Sequence, residues 1–159
     1  AVADGLREFA GLEHRLEFCG EIDGRRFFND SKATNVDSMR QALLALPRPL
    51  TIIAGGRDKH GDFPGIARLV EERVDQVILI GEAADVIARA WPRVRKERAK
   101  NLDDAVVRAY EGTPGGGAIA LSPGCASYDM FRDYEERGRR FKAAVRALID
   151  DRTGGGGSA

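Results

Sequence analysis

The order of apolar and polar residues divides the chain into alternating strands and helices. Two runs near the start, LEFCGEI (Leu16–Ile22) and RRFFND (Arg25–Asp30), flank Asp23-Gly24. Asp-Gly between apolar-rich runs predicts a hairpin, because both residues tolerate the positive φ of a tight two-residue turn. In NVDSMRQALLAL, Val36, Met39, Leu43 and Leu46 recur at three- and four-residue intervals, which predicts a helix. Pro47 and Pro49 stop it, since proline lacks a backbone donor and cannot continue the turn. LTIIAGG, QVILIG and GAIALSP are short apolar runs closed by Gly or Pro and read as buried strands. Between them PGIARLVEERV, EAADVIARAW and LDDAVVRAYEG read as helices, with a weak strand near Val94–Glu97. A long helix is predicted from Tyr128 to Ile149, and a helical or irregular lead from Val2 to Phe9 ends at Gly11. Strands alternating with helices of about 10–15 residues build βαβ units. The predicted fold class is therefore α/β, a mainly parallel sheet flanked by helices and opened by an N-terminal β-hairpin.

One domain is expected over residues 1–150; DRTGGGGSA (151–159) cannot pack a core and reads as a flexible Gly-rich tail. The opening AVADGLREFAGLEHR, which starts on Ala1, reads like sequence from within a longer protein. The 25 Lys and Arg balance the 25 Asp and Glu, so no general attraction to nucleic acid or to an anionic membrane is expected. An anionic ligand must be held by local groups. No apolar run approaches the roughly 20 residues of a membrane span. Two cysteines, Cys19 and Cys125, suggest a reducing, cytoplasmic setting. With only His14 and His60 beside them, zinc-ligand spacing is lacking and no metal ligand is assigned.

In an open parallel sheet, ligands bind at the carboxyl ends of the strands. Three polar segments leave a predicted strand there and enter a helix: NDSKATN (Asn29–Asn35), GGRDKHGD (Gly55–Asp62) and SPGCASYD (Ser122–Asp129). In the first, Asp30, Lys32 and Thr34 share a face if the strand persists, and a carboxylate, an ammonium and a hydroxyl together suit a polar charged ligand. Thr34 and Asn35 equally suit the cap of the next helix, and Lys32 equally suits a solvated surface. In the second, two glycines allow a close backbone approach and Lys59 sits where no apolar pattern explains it; a plain polar loop is the alternative. In the third, Ser127 either caps the last helix or offers its N-terminus to an anion. The P-loop GxxxxGK[ST] and the dinucleotide fingerprint GxGxxG are both absent from the sequence, as is the G-x-S-x-G elbow of a serine nucleophile. No catalytic residue is assigned.

Taken together, NDSKATN after a hairpin, GGxxK after the next strand and LSPGCASYDMFRDYEERGRRF (Leu121–Phe141) resemble the C-terminal domain of the D-glutamate-adding Mur ligases. GLEHRLE (Gly11–Glu17) is similar to that family's junction between central and last domains, and the likeness runs from about Phe9 to Ile149. The resemblance implies a Rossmann-like domain. It also implies an ATP-dependent reaction in which the carboxylate of UDP-N-acetylmuramoyl-L-alanine is phosphorylated and the D-glutamate amine then displaces phosphate. By residue-wise correspondence, Thr34 and Lys59 hold the α-carboxylate of D-glutamate. Ser127 binds its side-chain carboxylate, helped by the backbone near Tyr128 and Tyr134, with Lys32 close by. Arg15 and Asp30 reach ATP, with His14 beside Arg15. Tyr134 stands where the family commonly has phenylalanine. ATP and Mg2+ are expected to be held mainly by a central domain that this chain lacks, so the chain alone is expected to be an inactive monomeric part of an enzyme. The competing readings are a non-catalytic binding module from a truncated ligase and an unrelated Rossmann-like nucleotide-binding domain.

Overall fold

The computed structural model describes residues 12–157; the predicted lead over Val2–Phe9 lies outside the described residues. Strands β1 (Glu17–Ile22) and β2 (Arg25–Asn29) form the expected antiparallel hairpin, with Ile22 opposite Arg25. Asp23 and Gly24 make the turn at φ 51° and 81°, the conformation for which Asp-Gly is suited. A bulge between Phe18 and Gly20 bends the outer strand. The remaining strands are β3 (Leu50–Gly55), β4 (Gln76–Ile80), β5 (Arg95–Arg98) and β6 (Ala118–Leu121). The six-stranded sheet runs β1-β2-β6-β3-β4-β5, and every pairing other than the hairpin is parallel.

Helices cover both faces. On one lie α1 (Val36–Ala45), a 3-10 turn (Pro64–Ile66) leading into α2 (Ala67–Arg73), and α3 (Ala84–Ala90). Met39, Leu43, Ile52, Val77, Ile87 and Trp91 pack there at 1% exposure or less. Burying each such side chain is worth about 1.5–3 kcal/mol, and the Trp91 indole N–H donates to Phe63 O at 2.8 Å, leaving no orphaned donor. On the other face α4 (Leu102–Gly112) and α5 (Tyr134–Gly157) cover Phe27, Ile53, Ile78 and Ile119. Strands β3, β4 and β6 are buried throughout, which explains their unbroken apolar sequences. Edge strand β5 reads Arg-Lys-Glu-Arg; charges on an edge discourage pairing with another chain.

The last helix differs from its predicted limits at both ends. It starts at Tyr134, not Tyr128, because Asp133 Oδ1 accepts from Glu136 N (2.8 Å) and caps it. Ser127 does not cap this helix. Its carbonyl instead accepts from Met130 N and Phe131 N, closing a separate turn. At the other end helical backbone continues to Gly157, past the expected boundary at residue 150. Arg152 lies over the Tyr110 ring at 4.6 Å, and the Thr153 hydroxyl donates back to Ile149 O at 3.0 Å. These contacts hold the first residues of the tail in the helical path.

Candidate functional site

Because β2, β6 and β3 are neighbours, the three polar segments leave the sheet side by side. Strand β2 stops at Asn29, so strand alternation is not what groups Asp30, Lys32 and Thr34. A tight turn does it: Ala33 N donates to Asp30 O (2.9 Å) and Thr34 N to Lys32 O (2.8 Å). Asn35 is the helix cap, its Oδ1 accepting from Ser38 N at 2.9 Å, which leaves Thr34 to the adjoining pocket. That pocket, of about 280 Å³, is lined by Arg15, Asp30, Lys32, Thr34 and Tyr134, with Gln41 from α1 at its rim.

Asp30 is the pocket's most perturbed group. Its Oδ1 accepts from Leu16 N (3.1 Å) and its Oδ2 from Ser122 Oγ (2.8 Å). Burial pushes its carboxyl up to about 7 against these hydrogen bonds and the charge of Arg15. His14, also buried, packs edge-on against the Tyr134 ring at 5.9 Å. Asn29 fixes its tautomer. The Asn29 carbonyl oxygen accepts from Ser31 N, so its amide nitrogen is the group facing His14 Nδ1 (2.9 Å) and Glu17 Oε1 (3.0 Å). The ring proton then belongs on Nε2, which lies 3.3 Å from Glu13 Oε1 but too poorly aligned for a hydrogen bond. Lys142 on α5 bridges Glu13 (2.9 Å) and Glu17 (3.2 Å). The segment carrying His14 and Arg15 is thereby pinned to α5.

Lys59, Ser127 and Tyr128 do not line that pocket; they sit on the loops that follow β3 and β6. Lys59 Nζ stands 5.9 Å from the centre of the exposed Tyr128 ring, a cation–π distance. Ser127 is buried at 1% exposure. The two loops are joined by paired backbone bonds, Arg57 N to Ala126 O (2.9 Å) and Ala126 N to Arg57 O (3.1 Å). Gly55 is required for this turn: at φ 128° a Cβ would overlap Ile80 O. Asp58 closes its own turn by accepting from Gly61 N (2.9 Å), and exposed Arg57 faces Glu82 at 3.5 Å. Burial pushes the Cys125 thiol up to about 12, so it has no thiolate character near neutral pH.

Sequence reasoning missed three residues that organise the site: Asn29, Arg137 and Gly138. Arg137 is fully buried, and its guanidinium donates to Ser31 Oγ (2.9 Å), Ser31 O (2.7 Å) and Cys125 O (3.0 Å). Burial pulls it down to about 10. A signal existed, because Arg137 continues the buried stripe Phe141, Val145, Leu148 at helical spacing. Next to it, a Cβ on Gly138 would overlap His14 Nδ1; this glycine lets the segment carrying His14 lie against the helix. Among the described residues no group of three His, Cys, Asp or Glu side chains is placed to hold a metal ion, and no helix is long and apolar enough to cross a membrane.

Residues 14–125 match the family model described as Mur ligase, glutamate ligase domain. The chain is 50% identical over 149 residues to the UDP-N-acetylmuramoylalanine–D-glutamate ligase of Chlorobium luteolum, covering 93% of this chain and 32% of that protein. For the protein of the same name from Chlorobaculum parvum the identity is 48%, with the same coverage. The chain thus spans about a third of the length of these curated relatives. Its fold resembles that of the bifunctional folylpolyglutamate synthase/dihydrofolate synthase from Yersinia pestis at TM-score 0.58 and 17% identity, over 87% of this chain and 31% of that one. It likewise resembles the Mycobacterium tuberculosis folylpolyglutamate synthase complexed with ADP, at TM-score 0.57 and 18% identity, over 82% and 32%.

Proposed function

The chain belongs to the Mur ligase glutamate ligase domain family, and we propose that it is the C-terminal, amino-acid-receiving domain of an ATP-dependent ligase. That ligase adds D-glutamate to UDP-N-acetylmuramoyl-L-alanine in peptidoglycan synthesis, in the cytoplasm and as a monomer. The observation that carries the reading is the convergence of three strand-end segments, with Lys32 and Thr34 in one pocket and Lys59 on the neighbouring strand-end loop, in a chain with no net charge. D-Glutamate presents two carboxylates, and charge-assisted donors are the receptor it needs. Lys59 and Thr34 hold the α-carboxylate. Ser127 and the backbone near Tyr128 and Tyr134 hold the side-chain carboxylate, with Lys32 close by.

Arg15 and Asp30, with His14 behind them, form the edge that meets ATP. Their position in one pocket, a cation beside a buried carboxyl, fits contacts to phosphate and ribose. They do not make a complete nucleotide site: the sequence has no P-loop, and the described residues offer no carboxylate cluster for Mg2+. When bound, ATP supplies the phosphoryl group that activates the acceptor carboxylate. This domain's own residues hold the amino acid, orient its amine and, on closing, keep water from the reacting carbonyl.

Calorimetric titration of this chain with D- and L-glutamate tests the reading. Weak D-selective binding that is lost in Lys59→Ala is expected. No D-glutamate binding, or binding indifferent to Lys59, removes it.

A further inference from the structure

The three segments of the site are tied together by one interior cation. The Arg137 fork grips Ser31 twice, through Nε on the hydroxyl and Nη2 on the carbonyl, while Nη1 reaches Cys125 O. Ser31 immediately precedes Lys32 in the turn that ends at Thr34. Its hydroxyl donates onward to Tyr134 O (2.7 Å), so the same oxygen accepts from Arg137 and fixes the first residue of α5. Cys125 immediately precedes Ala126, whose paired bonds with Arg57 hold the loop bearing Lys59. Gly56 leaves room: a Cβ there would stand 3.4 Å from Arg137 Nη1 and overlap Ala126 O.

None of the three hydrogen bonds from Arg137 goes to a carboxylate. A buried cation hydrogen-bonded only to neutral acceptors, with the Asp129 carboxylate acting on it only through space, is costly to desolvate, and an apolar side chain would fill the same stripe position more cheaply. What an apolar side chain lacks is a rigid planar fork that sets the separation between two loops. Lysine, a point charge on a flexible stem, lacks it too.

We propose that Arg137 is a positioning residue: it sets the spacing of the Lys32–Thr34 turn, the Lys59 loop and the Ser127 loop so that they receive a dicarboxylic amino acid as one unit. This rests on the D-glutamate reading above. The test compares Arg137→Lys, Ser31→Ala and the exposed control Arg139→Lys in the same chain. Each is checked for cooperative unfolding, titrated with D-glutamate by calorimetry, and mapped by backbone amide resonances. In Arg137→Lys, amides of residues 31–34, 57–59 and 125–128 are expected to shift together while those of β5 stay in place. Its D-glutamate dissociation constant is expected to rise at least about tenfold, and that of Ser31→Ala about threefold, with Arg139→Lys unchanged. Ser31→Ala keeps the guanidinium and two of its bonds, so it decides the matter should Arg137→Lys fail to fold. An unchanged dissociation constant in either folded variant overturns the positioning role while leaving the D-glutamate reading intact. Absence of D-glutamate binding in the unsubstituted chain overturns both.

Discussion

Replacing Asp30 by asparagine should stabilise the protein, and increasingly so as pH rises. Asp30 is 5% exposed, and its folded-state pKa is about 7, mainly through burial; an unfolded aspartate titrates near 3.9. The folded state therefore holds this proton more tightly than the unfolded chain. Stability from the site is fully present below about pH 4 and is lost progressively as pH climbs to about 7, the reverse of an ordinary ion-paired aspartate. The interval corresponds to about 4 kcal/mol at 1.36 kcal/mol per pKa unit, and relaxation of the site reduces it to about 1–3 kcal/mol. Asparagine keeps the shape: its Oδ1 still accepts from Leu16 N, and its amide donates to Ser122 Oγ. Urea denaturation at pH 4, 5, 6, 7 and 8 measures the difference. Asp30→Asn should match the parent near pH 4 and exceed it by about 1–3 kcal/mol at pH 8, or about 2–4 °C in Tm per kcal/mol for a chain of this size. A variant less stable than its parent at pH 8, or a gap that does not widen with pH, refutes the reasoning. Strongly perturbed groups concentrate at functional sites, so on the proposed reading the gain in stability should come with a weaker nucleotide contact in the ligase that contains this domain.

Three further outcomes are expected. Lys59→Ala and Thr34→Ala in the intact ligase should each raise the KM for D-glutamate by about 10–100-fold, from loss of a charge-assisted contact worth about 1.5–3 kcal/mol; steady-state kinetics at saturating ATP reads this, and an unchanged KM in both removes these residues from the site. Gly138→Ala should cost about 1–3 kcal/mol by forcing His14 off the helix, in spite of alanine's better helix propensity; a Tm at or above the parent's, with unaltered His14 ring resonances, contradicts it. The isolated chain should release no phosphate from ATP in the presence of D-glutamate and acceptor, as a coupled phosphate assay would report.

How much of the site was legible depended on how local its cause was. Asp23-Gly24, the Val36–Leu46 periodicity and the unbroken apolar strands each state their structure within a few residues, because turn geometry and burial are local demands on side-chain type. The polar segments at three strand ends were equally visible, since nothing in strand or helix formation needs Lys32 or Lys59 where they stand. The start of α5 was misjudged because Ser127 and Asp133 are both acceptable caps, and only packing chooses between them. Arg137 and Gly138 were overlooked because a charged residue and a glycine inside a helix read locally as a solvated face and a weak point.

The sequence by itself determined the hairpin, the βαβ order, a mainly parallel sheet flanked by helices and the list of polar segments, through periodicity and residue chemistry. Only the tertiary structure decided which of those segments touch. The strand order β2-β6-β3 brings together residues about 90 positions apart, Asp30 and Ser122 among them. The desolvation that raises Asp30 and the fork that Arg137 closes over Ser31 and Cys125 both arise from that adjacency. Distances across a sheet depend on which strands pair, and no local stretch of chain encodes them.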